Sequence, residues 1–434
     1  MLPKDKNELL CRVEGQATMG QMMRRYWMPA LKSSDLVAGG APKRVRLFGE
    51  DLVAWRAPDG SLGLIDEFCP HRGASLVLAR NEDCGLRCIY HGWVMTADGK
   101  VSETPAEGAD SKMRERVKFA HYKVREAGDI VWAYLGPAES EPPLPALEFT
   151  RFPDSQIVIL RAREHANWAQ CLEGAIDSAH SNYLHSNGIR PSTQVGGITE
   201  HGKAEHLSRP SNDGAPKFDV ETMPYGFRYA ALRKPIHDAD KNTYVRVTLF
   251  VAPNSSMIPA AKGWGSVQYF VPIDDHTTMF YYILWKRDGA IDAQTRKRYD
   301  ENMGLHVGSD MDENFNKIRT RDNNWLQNRD SMTSGESFSG IHGINMEDIA
   351  VHESMGAIYD RSKEHLGASD LAVIHFRRLM LDAAERFAAS GEAPVGLREP
   401  FEYGRLHTGE GMVPHGERWQ TVMEDETPEP IAAK

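Results

Sequence analysis

Cys69-Pro70-His71-Arg72-Gly73 and, after an interval of 16 residues between His71 and Cys88, Cys88-Ile89-Tyr90-His91-Gly92-Trp93 are the stretches that decide how this chain is read. Each offers one cysteine and one histidine. A zinc finger usually groups its cysteines on one loop and its histidines on the other, whereas a two-iron, two-sulfur centre of mixed ligation needs two thiolates on one iron and two imidazoles on the other. One ligand of each kind from each loop lets two hairpin tips grip both irons from opposite sides. Replacing two thiolates with neutral imidazoles raises the potential to roughly -150 to +300 mV, so such a centre accepts electrons readily. Gly73 and Gly92 suit tight turns where backbone amides approach the sulfides. A zinc loop or a chance pairing is the alternative, and Cys84, between the loops, reads as a free thiol.

Working outward, short strand-like runs at 45–48, 52–55, 62–65 and 130–135, with Pro58-Asp59-Gly60 as a turn, predict a small antiparallel β domain over residues 41–145. The preceding residues 1–40, including Met19-Gly20-Gln21-Met22-Met23-Arg24-Arg25-Tyr26-Trp27-Met28, read as mostly helical. The proline-rich stretch 136–145 is the clearest linker, since proline cannot continue a sheet interior. Beyond it, residues 146–434 combine a helix near 167–184, strand-like runs at 245–252, 266–271 and 279–285, and a helix around 371–389. That order predicts an α+β domain built on one large sheet. At 434 residues, two domains are expected.

Hydrophobic residues make up 41% and charged residues 26%, as in a soluble globular enzyme, and the net charge of -10 argues against a nucleic-acid partner. The polar start lacks the apolar stretch of a signal peptide and no segment has bilayer-spanning length, so a cytoplasmic protein without membrane contact is expected. Five cysteines are too few for a disulfide framework.

The second constellation lies in Asn167-Trp168-Ala169-Gln170-Cys171-Leu172-Glu173-Gly174-Ala175-Ile176-Asp177-Ser178-Ala179-His180. On a continuous helix Glu173, Asp177 and His180 share one face. A solvated stripe is the plainer reading, weakened by the small and apolar neighbours, since a buried acid needs a partner. His185 would point about 140° away from His180 on a regular helix, so a local widening or a helix end must bring the two together. Two histidines and one carboxylate on one face of an iron leave three positions open, the facial triad of ferrous oxygenases. The carboxylate must come from elsewhere in the chain.

Together, Cys69-x-His71, Cys88-x-x-His91 and Asp177-x-x-His180-x-x-x-x-His185 resemble the ring-hydroxylating Rieske oxygenases across both domains. The resemblance is to the phthalate dioxygenase group in particular, through residues 167–185, Glu353-Ser354-Met355-Gly356 and Asp360-Arg361-Ser362-Lys363-Glu364-His365-Leu366-Gly367. It implies an N-terminal all-β Rieske domain holding a [2Fe-2S] cluster on Cys69, His71, Cys88 and His91. It further implies a larger α+β catalytic domain, an antiparallel sheet covered by helices, with a mononuclear Fe(II) on His180, His185 and Asp360. Asp348, Glu353 and Glu364 are local alternatives to Asp360. Asp177 matches the bridging acid that hydrogen-bonds a histidine at each metal centre, with His91 arriving from a neighbouring subunit, which in turn implies a homotrimer or a hexamer of paired trimers.

The resemblance implies hydroxylation of an aromatic carboxylate with O2, two electrons and two protons, giving a cis-dihydrodiol. Alternation over Thr243–Phe250 puts Arg246 on one face with Tyr244, Thr248 and Phe250. Arg246, and Arg209 before Pro210, are the candidate carboxylate clamps, with a structural ion pair as the alternative for each. No glycine-rich dinucleotide fingerprint is present, so electrons must come from a separate NAD(P)H-dependent reductase. An O-demethylating monooxygenase on the same metals, or a pure Rieske electron carrier, are the competing readings.

Overall fold

In a computed structural model, the described residues are 1–423 apart from 109, 196, 202, 203 and 400, with the side chains of 196–206 also left out. The chain divides into two compact units, one of Val13–Pro145 and one that joins Met1–Arg12 to the residues from Ala146 onward. Among the described residues no helix is long and apolar enough to cross a membrane.

The smaller unit is built from three antiparallel sheets. Strands 43–47, 50–56 and 62–66 form one, strands 80–82, 85–87, 94–95 and 101–103 a second, and strand 130–134 pairs with both 27–32 and 123–127 in the third. Trp55, Ile65, Leu76, Leu86, Trp93 and Met95 form its core, and Cys69 and Cys88 are buried among them. The expected helical segment 1–40 resolves differently. Lys4–Cys11 and Thr18–Met23 are helices, but Trp27–Lys32 is a strand, its register shifting between Pro29 and Leu31. Proline has no amide to give to the ladder, so the irregularity falls where the sequence demands one. The helical period read from Met19 onward loses to the pairing of Trp27 and Met28, both buried, with the strand 130–134.

In the larger unit, helix α1 (Lys4–Cys11) precedes a sheet of eight strands, all antiparallel: β1 (Ile157–Glu164), β2 (Lys217–Met223), β3 (Gly226–Arg233), β4 (Asn242–Val251), β5 (Ser255–Met257), β6 (Trp264–Pro272), β7 (Thr278–Lys286) and β8 (Gly409–Pro414). The order is β1-β7-β6-β5-β4-β3-β2, with β8 pairing β4. Helices α2 (Trp168–Ala175), α3 (Ile344–Ser354) and α4 (Leu371–Ser390) accompany it. Trp168 of α2 meets the Phe376 ring of α4, which in turn meets Phe250 of β4, so aromatic contacts join helices to sheet.

Helix α2 is shorter than the expected 167–184. Asn167 caps it by accepting from the Ala169 amide, and its Nδ2 donates to the carbonyls of Cys11 and Asp275. It ends at Ala175 because the Asp177 carboxylate accepts from the Ala179 amide at 2.8 Å, an Asx turn that takes the donor a further helical turn would need. A single short turn, His180–Asn182, follows.

Candidate metal centres and substrate pocket

The two Cys/His loops are built alike. The Cys69 amide donates to the Ala74 carbonyl and the Gly73 amide to the Cys69 carbonyl; the Cys88 amide donates to Trp93 and the Gly92 amide to Cys88. Gly73 and Gly92 sit at φ +73° and +74°, the left-handed region that a side chain disfavours. Beneath the first loop, buried Glu67 accepts two bonds from Arg44 and one from Ser75.

Cys69 and Cys88 are each 3% exposed. Burial, together with Cys88 beside it, pushes the Cys69 thiol up to about 11, while the amides of His71 and Arg72 favour its thiolate. A buried pair of thiols needs a cation between them before both can ionise. The His71 and His91 rings stand 4.4 Å apart, edge to face, and His71 stacks on Trp93 at 4.7 Å. Two buried sulfurs and two outer imidazoles with amides around them fit a mixed-ligand [2Fe-2S] cluster.

In the larger unit the end of α2 brings His180 and His185 together with Nε2 atoms 3.1 Å apart. The acid that joins them is Asp348 of α3, whose Oδ1 lies 3.4 Å from His180 Nε2 and 3.0 Å from His185 Nε2. With metal–ligand bonds of about 2.1 Å, adjacent octahedral ligands lie about 3.0 Å apart, so the three edges match one octahedral face. Asp360 is not there. Its carboxylate caps the next turn by accepting from the Ser362 amide and hydroxyl and pairs with Lys363 at the surface. Its neighbour Arg361 is the buried group of that motif and binds Glu173. Glu353 is taken by Lys317, Trp325 and the His165 amide, and Glu364 by Arg377. Glu173, expected on the face of Asp177 and His180, instead bridges Arg361 and Arg377.

The far nitrogens of both imidazoles face carboxylates. His185 Nδ1 lies 2.7 Å from Glu347, and His180 Nδ1 lies 3.5 Å from Asp177. Burial lowers the His180 pKa, but Asp177 and Asp348 outweigh it and raise the group to about 10. Asp348 is held far below the usual carboxylate range by the two histidines despite burial. Two imidazoles ringed by three carboxylates favour positive charge between them, which suits a divalent cation, and the outer carboxylates fix which nitrogen faces it. Gly174 allows the close approach of α3, since a Cβ there would lie 2.1 Å from His352 Nε2. His352 in turn meets buried Glu164 at 3.0 Å.

These groups line a cavity of about 110 Å³, of the order of the roughly 150 Å³ core cavities that admit benzene. Tyr229, Arg246, Thr248, Phe270, Phe280 and Tyr282 supply the sheet side. Leu207, Tyr299, Met303 and Ile344 also border a wider cleft of about 700 Å³. Arg246 donates to the Pro259 carbonyl, and Arg209, 4% exposed, donates to the Ser181 hydroxyl and carbonyl at 3.0 Å each. Burial, with Arg233 and Arg246 nearby, lowers Arg209 to about 9. Neither arginine forms an ion pair among the described residues, although Glu410, opposite Arg246 in the sheet, lines the same small pocket as both. Sequence reasoning missed Glu347 and Arg233. The first stood in plain view beside Asp348, whereas the second becomes visible only through the pairing of β3 with β4.

Comparison with known proteins bears on both units. Residues 26–123 match the Rieske [2Fe-2S] domain model and residues 133–431 the LigXa C-terminal domain like model. The chain is 45% identical to the phthalate 4,5-dioxygenase oxygenase subunit of Pseudomonas putida, covering 97% of this chain and 94% of that protein. It is 35% identical to the 3-chlorobenzoate-3,4-dioxygenase oxygenase subunit of Comamonas testosteroni, covering 98% of each. Among solved structures, the oxygenase in the reduced oxygenase–ferredoxin complex of carbazole 1,9a-dioxygenase shares the fold at a TM-score of 0.56 and 21% identity, over 88% of this chain and 97% of that one.

Proposed function

The chain belongs to the Rieske non-heme iron oxygenases, and on that premise we propose that it is the oxygenase subunit of a dioxygenase that turns an aromatic carboxylate into a cis-dihydrodiol. Cys69 and Cys88 would hold one cluster iron and His71 and His91 the other. His180, His185 and Asp348 would hold the mononuclear iron. When bound, the cluster supplies electrons one at a time and the ferrous ion offers open coordination positions for activating O2. The overall change adds O2, two electrons and two protons to the ring.

The chain's own residues orient the substrate and exclude water. Arg246 and Arg209 hold the carboxylate, Tyr229 and the phenylalanines flank the ring, and Asp177 keeps His180 Nδ1 as the donor. The observation that carries the reading is that Arg246, half-buried, lines the iron cavity and shares a small adjoining pocket with the buried Arg209, neither guanidinium forming an ion pair among the described residues although Glu410 borders that pocket. A desolvated cation of that kind is stable only if an anion completes it. Electrons come from a separate reductase or ferredoxin, supported by the carbazole neighbour having been solved with its ferredoxin. A homotrimer, or paired trimers, would let Asp177 meet His91 of the partner subunit; exposed Phe68, Ile89 and Tyr90 beside the cluster loops support a covered surface there.

The test is product analysis with phthalate, isophthalate, terephthalate, benzoate and a methoxybenzoate, with a ferredoxin reductase supplying electrons. A cis-dihydrodiol from an unsubstituted aromatic acid is expected. Formaldehyde release from the methoxy acid, without diol from any other, would instead establish an O-demethylase.

A further inference from the structure

Arg233, at the end of β3, is 1% exposed, yet its Nε and Nη1 have no hydrogen-bond partner. Its Nη2 donates to the carbonyl and hydroxyl of Ser178 at 2.7 and 3.0 Å. In the β3–β4 ladder Ala231 pairs with Arg246 and Arg233 with Tyr244, so Arg233 and Arg246 are diagonal neighbours on one face of the sheet. Tyr229 and Thr248, paired on that face, line the iron cavity. Arg209 shares a small pocket with Arg246; burial, then Arg233 and Arg246 nearby, lowers the Arg209 pKa, and burial, then Arg246, lowers that of Arg233, with Asp213 acting in the opposite direction. Among the described residues none of the three forms an ion pair. Two buried, unused N–H groups beside two other cations call for an anion.

The second half of the observation concerns the turn. Arg233 grips Ser178 and Arg209 grips Ser181, each through both a carbonyl and a hydroxyl. Asp177 and His180 lie in and beside the segment between these two clamps. A carboxylate that draws the guanidiniums toward itself therefore pulls on the turn that sets His180 against Asp348.

We infer that Arg233 is a third anion-binding residue, and that with Arg209 it ties the bound carboxylate to the turn carrying Asp177 and His180. The inference rests on the carboxylate-substrate reading above. The metal-loaded enzyme is titrated anaerobically with phthalate by calorimetry, and the ferrous site is followed by magnetic circular dichroism before and after phthalate. Arg233→Gln is expected to weaken phthalate binding tenfold or more and to abolish the phthalate-induced spectral change, with the cluster's visible absorption unaltered. Arg233→Lys, which keeps the charge and guards against a variant that does not fold, should recover part of the affinity but not the spectral response, because an ammonium cannot span Ser178 and the anion as a fork does. Affinity within twofold of wild type in both variants overturns anion binding by Arg233. Weakened affinity with a full spectral response overturns the link to the turn. Arg246→Gln separates the two levels: if it weakens phthalate while the Arg233 variants do not, only this inference fails, and if it too binds normally, the carboxylate reading fails.

Discussion

Asp177 fills two roles at once: one oxygen stops α2 by taking the Ala179 amide, and the other faces His180 Nδ1. An asparagine can cap the turn equally well but cannot stabilise a charged imidazole as a carboxylate does. Asp177→Asn should therefore keep both metals and lose most turnover, read as slowed reoxidation of a prereduced cluster in a single turnover. Wild-type electron transfer would remove Asp177 from the path. Arg246 is tested by affinity. Loss of a charge-assisted pair in a desolvated pocket costs roughly 1.5 to 3 kcal/mol, about ten- to a hundredfold in binding. Arg246→Ala should show that loss for phthalate by calorimetry and Arg246→Lys should recover only part of it; unchanged binding in both would make the arginine structural.

Helix α2 is held by Glu173, which accepts from Arg361 and Arg377, both almost fully buried. Burial raises the Glu173 pKa, but the two guanidiniums outweigh it and leave the group below its ordinary value. A carboxyl whose folded pKa is lowered contributes stability above its unfolded pKa, about 4.3, and that contribution fades as pH falls through the folded value. Glu173→Gln leaves buried arginines short of charge, which costs on the order of 3 to 5 kcal/mol. Thermal melts should show a lower Tm at pH 7 and a gap from wild type that narrows below about pH 4; equal melts at pH 7 would contradict the role. The helix also shows where sequence reading stops. The cluster loops were legible because Cys69, His71, Cys88 and His91 are local and their spacing carries the chemistry, and the antiparallel sheet because runs such as Val245, Val247 and Leu249 alternate. His180 and His185 were legible as a pair for the same reason. The third acid was not, because Asp348, Glu353, Asp360 and Glu364 are near neighbours in sequence, and only the packing of α3 against α2 selects among them. The helical face assigned to Glu173 failed because an Asx turn at Asp177 intervened, and the strand at Trp27–Lys32 depends on a partner a hundred residues away.

At the scale of the whole molecule, two units each prepare one metal centre from a different kind of local structure: paired hairpin loops in one, and a helix end facing a second helix in the other. The purified protein should be brown and hold about three irons and two acid-labile sulfides per chain, as a Rieske cluster and one mononuclear iron require. The assignment of that last iron to His180, His185 and Asp348 is the claim on which the pocket, the arginines and the chemistry all depend. The most direct measurement is iron and labile sulfide per chain in Asp348→Asn and Asp360→Asn. Asp348→Asn should fall to about two irons with the cluster absorption intact, while Asp360→Asn keeps about three. Retention of the third iron by Asp348→Asn and its loss from Asp360→Asn would contradict the account.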